Sequence, residues 1–187
     1  ATNLQNFSGD VQIRGTTLIK ANTATDNLAI GSNAGLNQQG AYTVAVGLNA
    51  GCGDQGASSV AVGLGSGRGS QGESAVAVGN SAGRVSQGDY TVAIGTEAGR
   101  VSQNNFAVSV GREAGCNAQG LHAVSVGYQA GEVAQAESGV AIGVNAGRNL
   151  QGSSTVAIGL NSGLNAQSDD SVAIGVASGC ASQGANA

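Results

Sequence analysis

The hydrophobic positions of the chain recur with a strict period of 16 residues. Ten copies of one phrase begin at Leu28, Val44, Val60, Val76, Val92, Val108, Val124, Val140, Val156 and Val172. We number each copy from position 1 to position 16 and call it a repeat. Position 1 is Val or Leu, position 2 is Ala or Ser, and position 3 is Val or Ile. Such alternation of β-branched and small residues, bounded by glycine, predicts a short strand in every repeat.

Glycine and glutamine occupy the other constant positions. Positions 4 and 8 are always Gly, and position 13 is Gly except at Asn104, Ala136 and Ser168. Position 12 is always Gln, at Gln39, Gln55, Gln71, Gln87, Gln103, Gln119, Gln135, Gln151, Gln167 and Gln183. A constant period without insertions is typical of a solenoid, whose coils share one cross-section. The glycines are therefore predicted at corners with φ > 0 or at close approaches, and the stacked glutamines in a hydrogen-bonded amide ladder.

These patterns predict an all-β fold. Residues 28–187 are expected to form a parallel β-solenoid of ten 16-residue coils. At roughly 4.8 Å per coil it would be a rod of about 50 Å. Residues 1–27 are expected to be a β-rich lead-in or cap, with short strands around Val11 and Ile13 and over the Thr-Leu-Ile run.

The two faces of the predicted strand need different partners. Positions 1 and 3 point to one face and position 2 to the other. Ala and Ser suit a narrow coil interior, whereas a full-length Val and Ile stripe is more apolar surface than monomers expose. Another copy of the chain in a closed cyclic oligomer is the simplest cover. We expect a homotrimer whose interface contains Val44, Val46, Val60, Val62, Val76, Val78, Val92, Ile94, Val108, Val110, Val124, Val126, Val140, Ile142, Val156, Ile158, Val172 and Ile174.

Composition and charge exclude several classes of function. The chain has 33 Gly, no Pro, no Met, no Trp and 3% aromatic residues, so any core must be narrow. Its 41% hydrophobic content is too high for a disordered linker. The net charge of −4 gives no reason to expect a nucleic-acid partner. No apolar run approaches the roughly 18 residues of a membrane-spanning helix, so direct membrane insertion is not expected.

The phrase Ser-Val-Ala-Ile-Gly at residues 171–175, with close variants in every repeat, resembles the head repeats of trimeric autotransporter adhesins of the YadA type. That resemblance implies a left-handed parallel β-roll with three chains side by side, displayed at the tip of a surface fibre. The family's repeat is typically shorter and lacks the constant AGxxxQG phrase. The array is also similar to repeats in fibre proteins of phages and large DNA viruses, which tend to be trimeric, and residues 7–31 fit that second comparison.

Candidate catalytic chemistry is sparse. His122 is the only histidine and lies at position 15 of its repeat. A left-handed β-helix acyltransferase would use a histidine between subunits, but those enzymes follow a longer coil built from hexapeptides. We therefore expect His122 to be an exposed variable side chain, and we expect no enzyme, no catalytic residue and no cofactor.

The three cysteines, Cys52, Cys116 and Cys180, all occupy position 9 and are separated by four repeats each. Four coils span roughly 19 Å, which exceeds the ~7 Å limit between the Cα atoms of a disulfide. The spacing is also unlike a zinc motif, and no aspartate column of the calcium-binding type is present. The cysteines are predicted to be free, partly buried thiols, and no metal site is expected.

Arginines Arg68, Arg84 and Arg100 occupy position 9 of three successive repeats, and Arg148 lies further on in the same column. When stacked, they would form a basic stripe that could contact a sulfated or sialylated glycan or another receptor. The alternative is a solvated, salt-bridged face, in which the arginines are neutralised by carboxylates such as Glu73, Asp89, Glu97 and Glu113.

These observations predict a structural, surface-exposed trimeric fibre or adhesin segment, a rigid scaffold for attachment to a host cell or receptor. It would lie outside the cell, on a cell or virion surface. The variable positions 5, 6, 9–11, 14 and 15 are expected to face solvent and to carry any recognition. The alternative is an architectural virion or filament subunit that binds no receptor. The tenth repeat is expected to end at Ala187 with an unpaired strand edge, which either further chain or a second, stacked subunit would cover, and end-to-end stacking would make the chain a polymer subunit.

Overall fold

The structure is a computed structural model and describes residues 11–13, 16–22 and 25–187. The other residues of the predicted lead-in, 1–10, 14–15 and 23–24, lie outside the described part of the chain. No helix occurs among the described residues, which form an all-β parallel solenoid of about 9 turns. The prediction of an all-β parallel solenoid from the 16-residue period is therefore confirmed.

Two antiparallel strands precede the solenoid. They are β1 (Val11–Ile13) and β2 (Thr16–Asn22), and they cover the segments in which the sequence predicts strands. β2 also pairs in antiparallel fashion with β3 (Asn27–Ile30), which contains the first three positions of repeat 1. The lead-in thus joins the edge of the first sheet of the solenoid.

One strand per repeat, at positions 1 to 3, continues this first sheet. The strands after β3 are β4 (Val44–Val46), β5 (Val60–Val62), β6 (Val76–Val78), β8 (Val92–Ile94), β10 (Val108–Val110), β12 (Val124–Val126), β14 (Val140–Ile142), β16 (Val156–Ile158) and β18 (Val172–Ile174). Neighbouring strands are parallel, and each residue pairs with the residue 16 positions later, as Val108 does with Val124. Because the period is never interrupted, the register never shifts.

A second sheet forms at positions 10 to 12, but only in repeats 4 to 9 of the described chain. Its strands are β7 (Val85–Gln87), β9 (Val101–Gln103), β11 (Asn117–Gln119), β13 (Val133–Gln135), β15 (Asn149–Gln151) and β17 (Asn165–Gln167). In repeats 1 to 3 and 10, the glutamine at position 12 makes isolated parallel bridges instead. The second sheet is therefore shorter than the array of repeats, because repeats 1 to 3 and 10 contribute no strand to it.

Positions 2, 7, 12 and 16 line the coil interior. In repeat 5 these are Ala93, Ala98, Gln103 and Ala107, and none is more than 1% exposed. Small side chains fill the three other columns of the interior, so glutamine is the largest residue in it. This is the narrow core that the composition requires.

The constant glycines are explained by backbone conformation and by close packing. Position 4 has φ between +117° and +133°, and an ideal Cβ on Gly95 would lie 2.5 Å from the carbonyl oxygen of Gly111 in the next coil. Position 8 has φ between +50° and +55°, and a Cβ on Gly99 would lie 2.5 Å from Oε1 of Gln103. Only glycine satisfies both conditions, which confirms the predicted corners.

Candidate interaction surfaces

The glutamine side chains cross the coil interior and brace the two sheets. Gln103 Nε2 donates to the carbonyl oxygen of Val92, at 2.9 Å, and to that of Ala107, at 3.2 Å. Nine of the ten glutamines donate to the position 1 carbonyl of their own repeat, and the exception is Gln39, which bonds to Asn37 and Gly51. The sequence analysis does not predict this contact across the coil, although the constant glutamine at position 12 indicates that the side chain has a structural role.

Amide-to-amide bonds along the axis occur at five steps of the glutamine column. They join Gln87 to Gln103, Gln103 to Gln119, Gln119 to Gln135, Gln151 to Gln167 and Gln167 to Gln183, at 2.9–3.5 Å. No such bond leaves Gln39, Gln55, Gln71 or Gln135 within residues 25–187. From Gln55 to Gln167 the glutamines are buried, so these side chains have a structural role and are not open to a ligand.

Serine at position 2 adds a donor to this column. Ser109 Oγ donates to Gln119 Oε1 at 2.5 Å, and Ser125 Oγ donates to Gln135 Oε1 at 2.6 Å. The Oε1 atoms of Gln55, Gln71, Gln87 and Gln151 are buried without an N–H or O–H donor, and all four repeats have Ala at position 2. The glycine at position 8 packs closely against these oxygens, because an ideal Cβ there would lie within 2.5 Å of each of them.

The outer surface of the first sheet is an apolar stripe, which we call the lateral face and define as positions 1 and 3 of all repeats. Within β8, Ala93 is fully buried whereas Ile94 is 40% exposed, so the side chains alternate as the sequence predicts. None of the 18 residues predicted to form an oligomer interface is buried in the single chain. All of them lie on the lateral face.

Position 5 extends the exposed apolar surface beyond the lateral face. It lies one glycine after the strand, and six repeats have a large hydrophobic residue there, with exposed fractions of 40–76%: Leu48, Leu64, Tyr128, Val144, Leu160 and Val176. The prediction that this position faces solvent is confirmed in these repeats. The predicted interface does not include them, although their apolar character in six of ten repeats was readable from the sequence.

The arginine stripe, defined as Arg68, Arg84 and Arg100, is stacked in register. The N–H of Gly69 donates to the carbonyl oxygen of Arg84 at 2.8 Å, and the N–H of Val85 donates to that of Arg100 at 2.9 Å. These bonds fix one guanidinium-bearing residue in each of three adjacent coils. The arginines therefore come together as the sequence predicts.

Carboxylates neutralise little of the arginine stripe. Arg100 pairs with Glu97 at 3.5 Å, whereas Arg68 and Arg84 form no ion pair with any described side chain. Asp89 instead accepts the backbone N–H of Glu73 at 2.8 Å. Of the four carboxylates expected to compete for the stripe, Glu97 alone reaches it.

The remaining described ion pairs lie outside the arginine stripe. Arg148 contacts Glu132 at 2.6 Å, and both residues belong to the position 9 column. Glu113 pairs with Arg112 at 2.9 Å. A hydrogen bond from Gln129 is the main cause that lowers the pKa of Glu113, and Arg112 lowers it further. Position 9 is thus neutralised in repeats 7 and 8 but not in repeats 3 and 4.

His122 belongs to an exposed aromatic stack at position 15. The ring centroids of Tyr90 and Phe106 are 5.4 Å apart, and those of Phe106 and His122 are 5.2 Å apart. His122 is exposed, as predicted for a variable position. The stack itself was not predicted, although Tyr90, Phe106 and His122 share one column of the repeat. No cluster of three or more metal-ligating side chains occurs in the described chain.

The three cysteines are free thiols with different exposure. Cys52 is half-buried, Cys180 is exposed, and Cys116 is buried at 4% exposure. Burial raises the pKa of the Cys116 thiol. The prediction that position 9 faces solvent therefore fails at Cys116, whereas the prediction of partly buried thiols fits Cys52 and not the exposed Cys180.

Comparison with known proteins gives no relative from which to transfer a function. No protein-family model, curated protein or solved structure matches the chain. In the described residues there is also no helix of the length and hydrophobicity needed to cross a membrane. The lateral face and the arginine stripe therefore carry the functional argument.

Proposed function

We propose that the chain is a rigid segment of a surface-displayed fibre, which trimerises through its lateral face and serves as a scaffold for attachment to a host cell or receptor. One observation carries this proposal: the outer surface of the first sheet is apolar in every repeat. In its full form the proposal is a left-handed roll of ten 16-residue coils, with three chains around one axis. The resemblance to trimeric surface fibres supports the number three and the handedness.

The size of the lateral face is consistent with self-association. Nine steps of ~4.8 Å and a strand of three residues give a strip of roughly 450 Å². Covering it contributes about 11 kcal/mol per chain at 25 cal/mol/Å². Because association costs about 4–15 kcal/mol, positions 1 and 3 alone are close to balance. The apolar residues at position 5 add the further area that makes assembly favourable.

The uniformity of the lateral face favours other copies of the chain as the partner. Positions 1 and 3 contain no charged or polar side chain in any repeat, so they offer no directional contact to a different molecule. Parallel copies in register would repeat the same contact at every coil around a closed cyclic axis. Such an assembly leaves the outward positions 9 to 11 available for recognition.

The solenoid itself suits a spacer. Its core columns are buried, and backbone hydrogen bonds of 2.7–3.2 Å join each coil to the next along the axis. This continuous packing supports a stiff rod that holds surface residues at fixed spacing. We therefore propose a scaffold rather than an enzyme.

The trimer is tested by measuring its mass in solution. Light scattering at micromolar concentration should give three times the chain mass of 17.9 kDa. Val126→Glu in the lateral face should yield a folded monomer, because the substitution places three carboxylates around the axis. Ser138→Glu, which adds the same charge at exposed position 15, is the control and should remain trimeric. A monomeric mass for the unsubstituted chain would contradict the proposal.

Attachment is tested separately from assembly. Fluorescent beads coated with the trimer should bind to cultured host cells, and beads coated with a bovine serum albumin control should not. If the trimer forms but binds no cell and no glycan on an array, the architectural alternative replaces the attachment function.

A further inference from the structure

We propose that the arginine stripe binds an acidic polysaccharide, whose sulfate or carboxylate groups pair with the guanidiniums of Arg68, Arg84 and Arg100. This inference deepens the proposed attachment function and rests on it, because the ligand belongs to a cell surface. Three of the chain's seven Lys and Arg residues belong to this stripe of successive coils, in a protein of net charge −4. The stripe is thus a local concentration of positive charge on an otherwise acidic molecule.

The spacing of the stripe suits a linear ligand. The backbone bonds between Gly69 and Arg84 and between Val85 and Arg100 hold the three arginines in register on successive coils, about 4.8 Å apart. Arg68 is exposed, and Arg84 and Arg100 are half-buried, so their stems are supported while their ends remain accessible. A chain with anionic groups at intervals of several Å can follow this column along the fibre axis.

A second column adds neutral donors beside the arginines. Position 11 is serine in the same three repeats, and Ser70, Ser86 and Ser102 are all exposed. Guanidinium and hydroxyl groups together are the donors that hold sulfate and carboxylate oxygens, the guanidinium in bidentate fashion. Arginine and serine are the only polar residue types at positions 9 to 11 of repeats 3 to 5.

The charge of the stripe is available because its neighbours do not cancel it. No described carboxylate pairs with Arg68 or Arg84, and the Arg100–Glu97 pair is long, at 3.5 Å, with side chains 37% and 39% exposed. An external anion can replace such an exposed pair. The Arg148–Glu132 pair in the same column, at 2.6 Å, shows what a neutralised position looks like.

The surroundings favour a polysaccharide over a single-stranded nucleic acid. Sites for single strands combine a basic groove with aromatic platforms on which bases stack. The exposed aromatic residues of residues 25–187 lie at positions 5 and 15, and positions 9 to 11 beside the arginines contain Gly, Val and Ser. A narrow, hydroxyl-rich stripe offers hydrogen bonds to sugar and anion oxygens but no stacking surface.

The test is the affinity of the full chain for heparin and for hyaluronate at low and physiological salt, measured by biolayer interferometry. R68Q/R84Q/R100Q should weaken binding on the order of tenfold, and R84Q alone roughly threefold. The control R148Q removes the same charge from the neutralised part of the column and should stay within about twofold of the unsubstituted chain. R84K keeps the charge but loses the bidentate fork, so its affinity should fall between those of the unsubstituted chain and R84Q. Preference for heparin would identify sulfate as the bound group, and equal binding of hyaluronate would identify carboxylate.

Several results would overturn this inference. They are the absence of binding to both polysaccharides at low salt, an equal loss in R84Q and R148Q, and tighter binding of single-stranded DNA than of heparin. Mass measurement on the same samples separates the two proposals. If the chain is a monomer and binds heparin through the stripe, the polysaccharide site stands and the proposed trimer is wrong. If the chain is a trimer and does not bind heparin, the trimer stands and the polysaccharide site is wrong.

Discussion

Repeats 1–3 and repeats 4–9 share one sheet and differ in the other. In repeats 2 and 3, position 10 is Gly53 and Gly69, and no second strand forms. In repeats 4–9 the same position is Val or Asn, and a three-residue strand forms in each. Repeat 1 has Asn37 there, but its neighbour in the stack is Gly53. The first sheet thus follows from constant positions, whereas the second depends on one variable column, because glycine weakens a strand.

The same border divides the coil interior. Amide-to-amide bonds begin at Gln87, the first glutamine that belongs to a second strand. Position 11 has positive φ throughout repeats 4–9, as at Ser86 with φ 53°, but Asp54 and Ser70 do not. We infer that the backbone at position 11 sets the orientation of the glutamine that follows it. Five of the six glutamines in repeats 4–9 donate to the next amide, and Gln135 is the exception, so the interior ladder follows the variable surface column at position 11 at most of its steps.

The largest expected effect concerns the glycine at position 4, which follows the first-sheet strand in both regions. Gly63→Ala in repeat 3 and Gly95→Ala in repeat 5 should each lower the free energy of unfolding by about 3 kcal/mol or more. Both glycines have φ near +125°, and at both a Cβ would lie 2.5 Å from a carbonyl oxygen of the next coil. Equilibrium urea unfolding followed by circular dichroism measures the loss. A clearly smaller loss in repeat 3 would mean that its first sheet is also weaker.

Gly175→Ala separates the two causes of that loss. Gly175 has φ +117°, but nothing lies within 4 Å of its ideal Cβ. This substitution should therefore show backbone strain without the steric overlap, and cost about 1–2 kcal/mol. A cost equal to that of Gly95→Ala would show that overlap contributes nothing.

The second effect tests the glutamine ladder across the border. Gln103→Met should lower the free energy of unfolding by about 2–3 kcal/mol, because Gln103 Nε2 donates to Val92, Ala107 and Gln119. Gln55→Met should cost about 1 kcal/mol or less, since Gln55 Oε1 is already without a donor and its amide bonds are 3.2 and 3.5 Å long. Methionine keeps the volume constant. Equal costs in urea unfolding would remove the distinction between the two regions.

Much of this fold could be predicted from constant columns. The alternation of buried Ala93 with exposed Ile94, and the corners at Gly95 and Gly99, follow from strand geometry and from the conformations open to glycine. The limits of the second sheet could not be predicted in this way, because they depend on how Gly53 and Gly69 act on neighbouring coils. The brace from Gln103 to Val92 was missed because the constancy of position 12 shows that glutamine is needed there but not which carbonyl oxygen its amide reaches.

The arginine stripe and the aromatic stack show the same limit on the surface. A shared column places Arg84 above Arg68, but which carboxylates reach the column depends on side-chain geometry that a period does not encode. The stack of Tyr90 on Phe106 requires ring planes that are parallel as well as adjacent, and theirs differ by 3°. Columns therefore predict which residues are neighbours, and not which of them interact.

The third effect tests whether position 10 determines the repeat at which the second sheet begins. Gly69→Val should extend the second sheet into repeat 3 and raise the free energy of unfolding by about 1 kcal/mol, because valine orders the strand and packs on Val85. An ideal Cβ on Gly69 meets the carbonyl oxygen of Arg84 at 3.0 Å, which requires a shift of a few tenths of an ångström. Gly53→Val is the matched control, since its Cβ would overlap the backbone of Gly69, and it should destabilise the chain. Hydrogen exchange at Gln71 should slow in Gly69→Val; unchanged exchange would argue against control by position 10.

The smallest effect tests how much a serine hydroxyl at position 2 adds to the glutamine column. Ser125→Ala removes the 2.6 Å bond to Gln135 Oε1 and should cost about 0.5 kcal/mol. Ala141→Ser supplies the same donor beside Gln151 Oε1, which has none, and should stabilise the chain by about the same amount. Ala157→Ser serves as the control, because Gln167 Oε1 already accepts from Gln151 at 3.0 Å, and it should be nearly neutral. If Ala141→Ser and Ala157→Ser shift the urea midpoint equally, the missing donor to Gln151 Oε1 does not limit the stability of the chain.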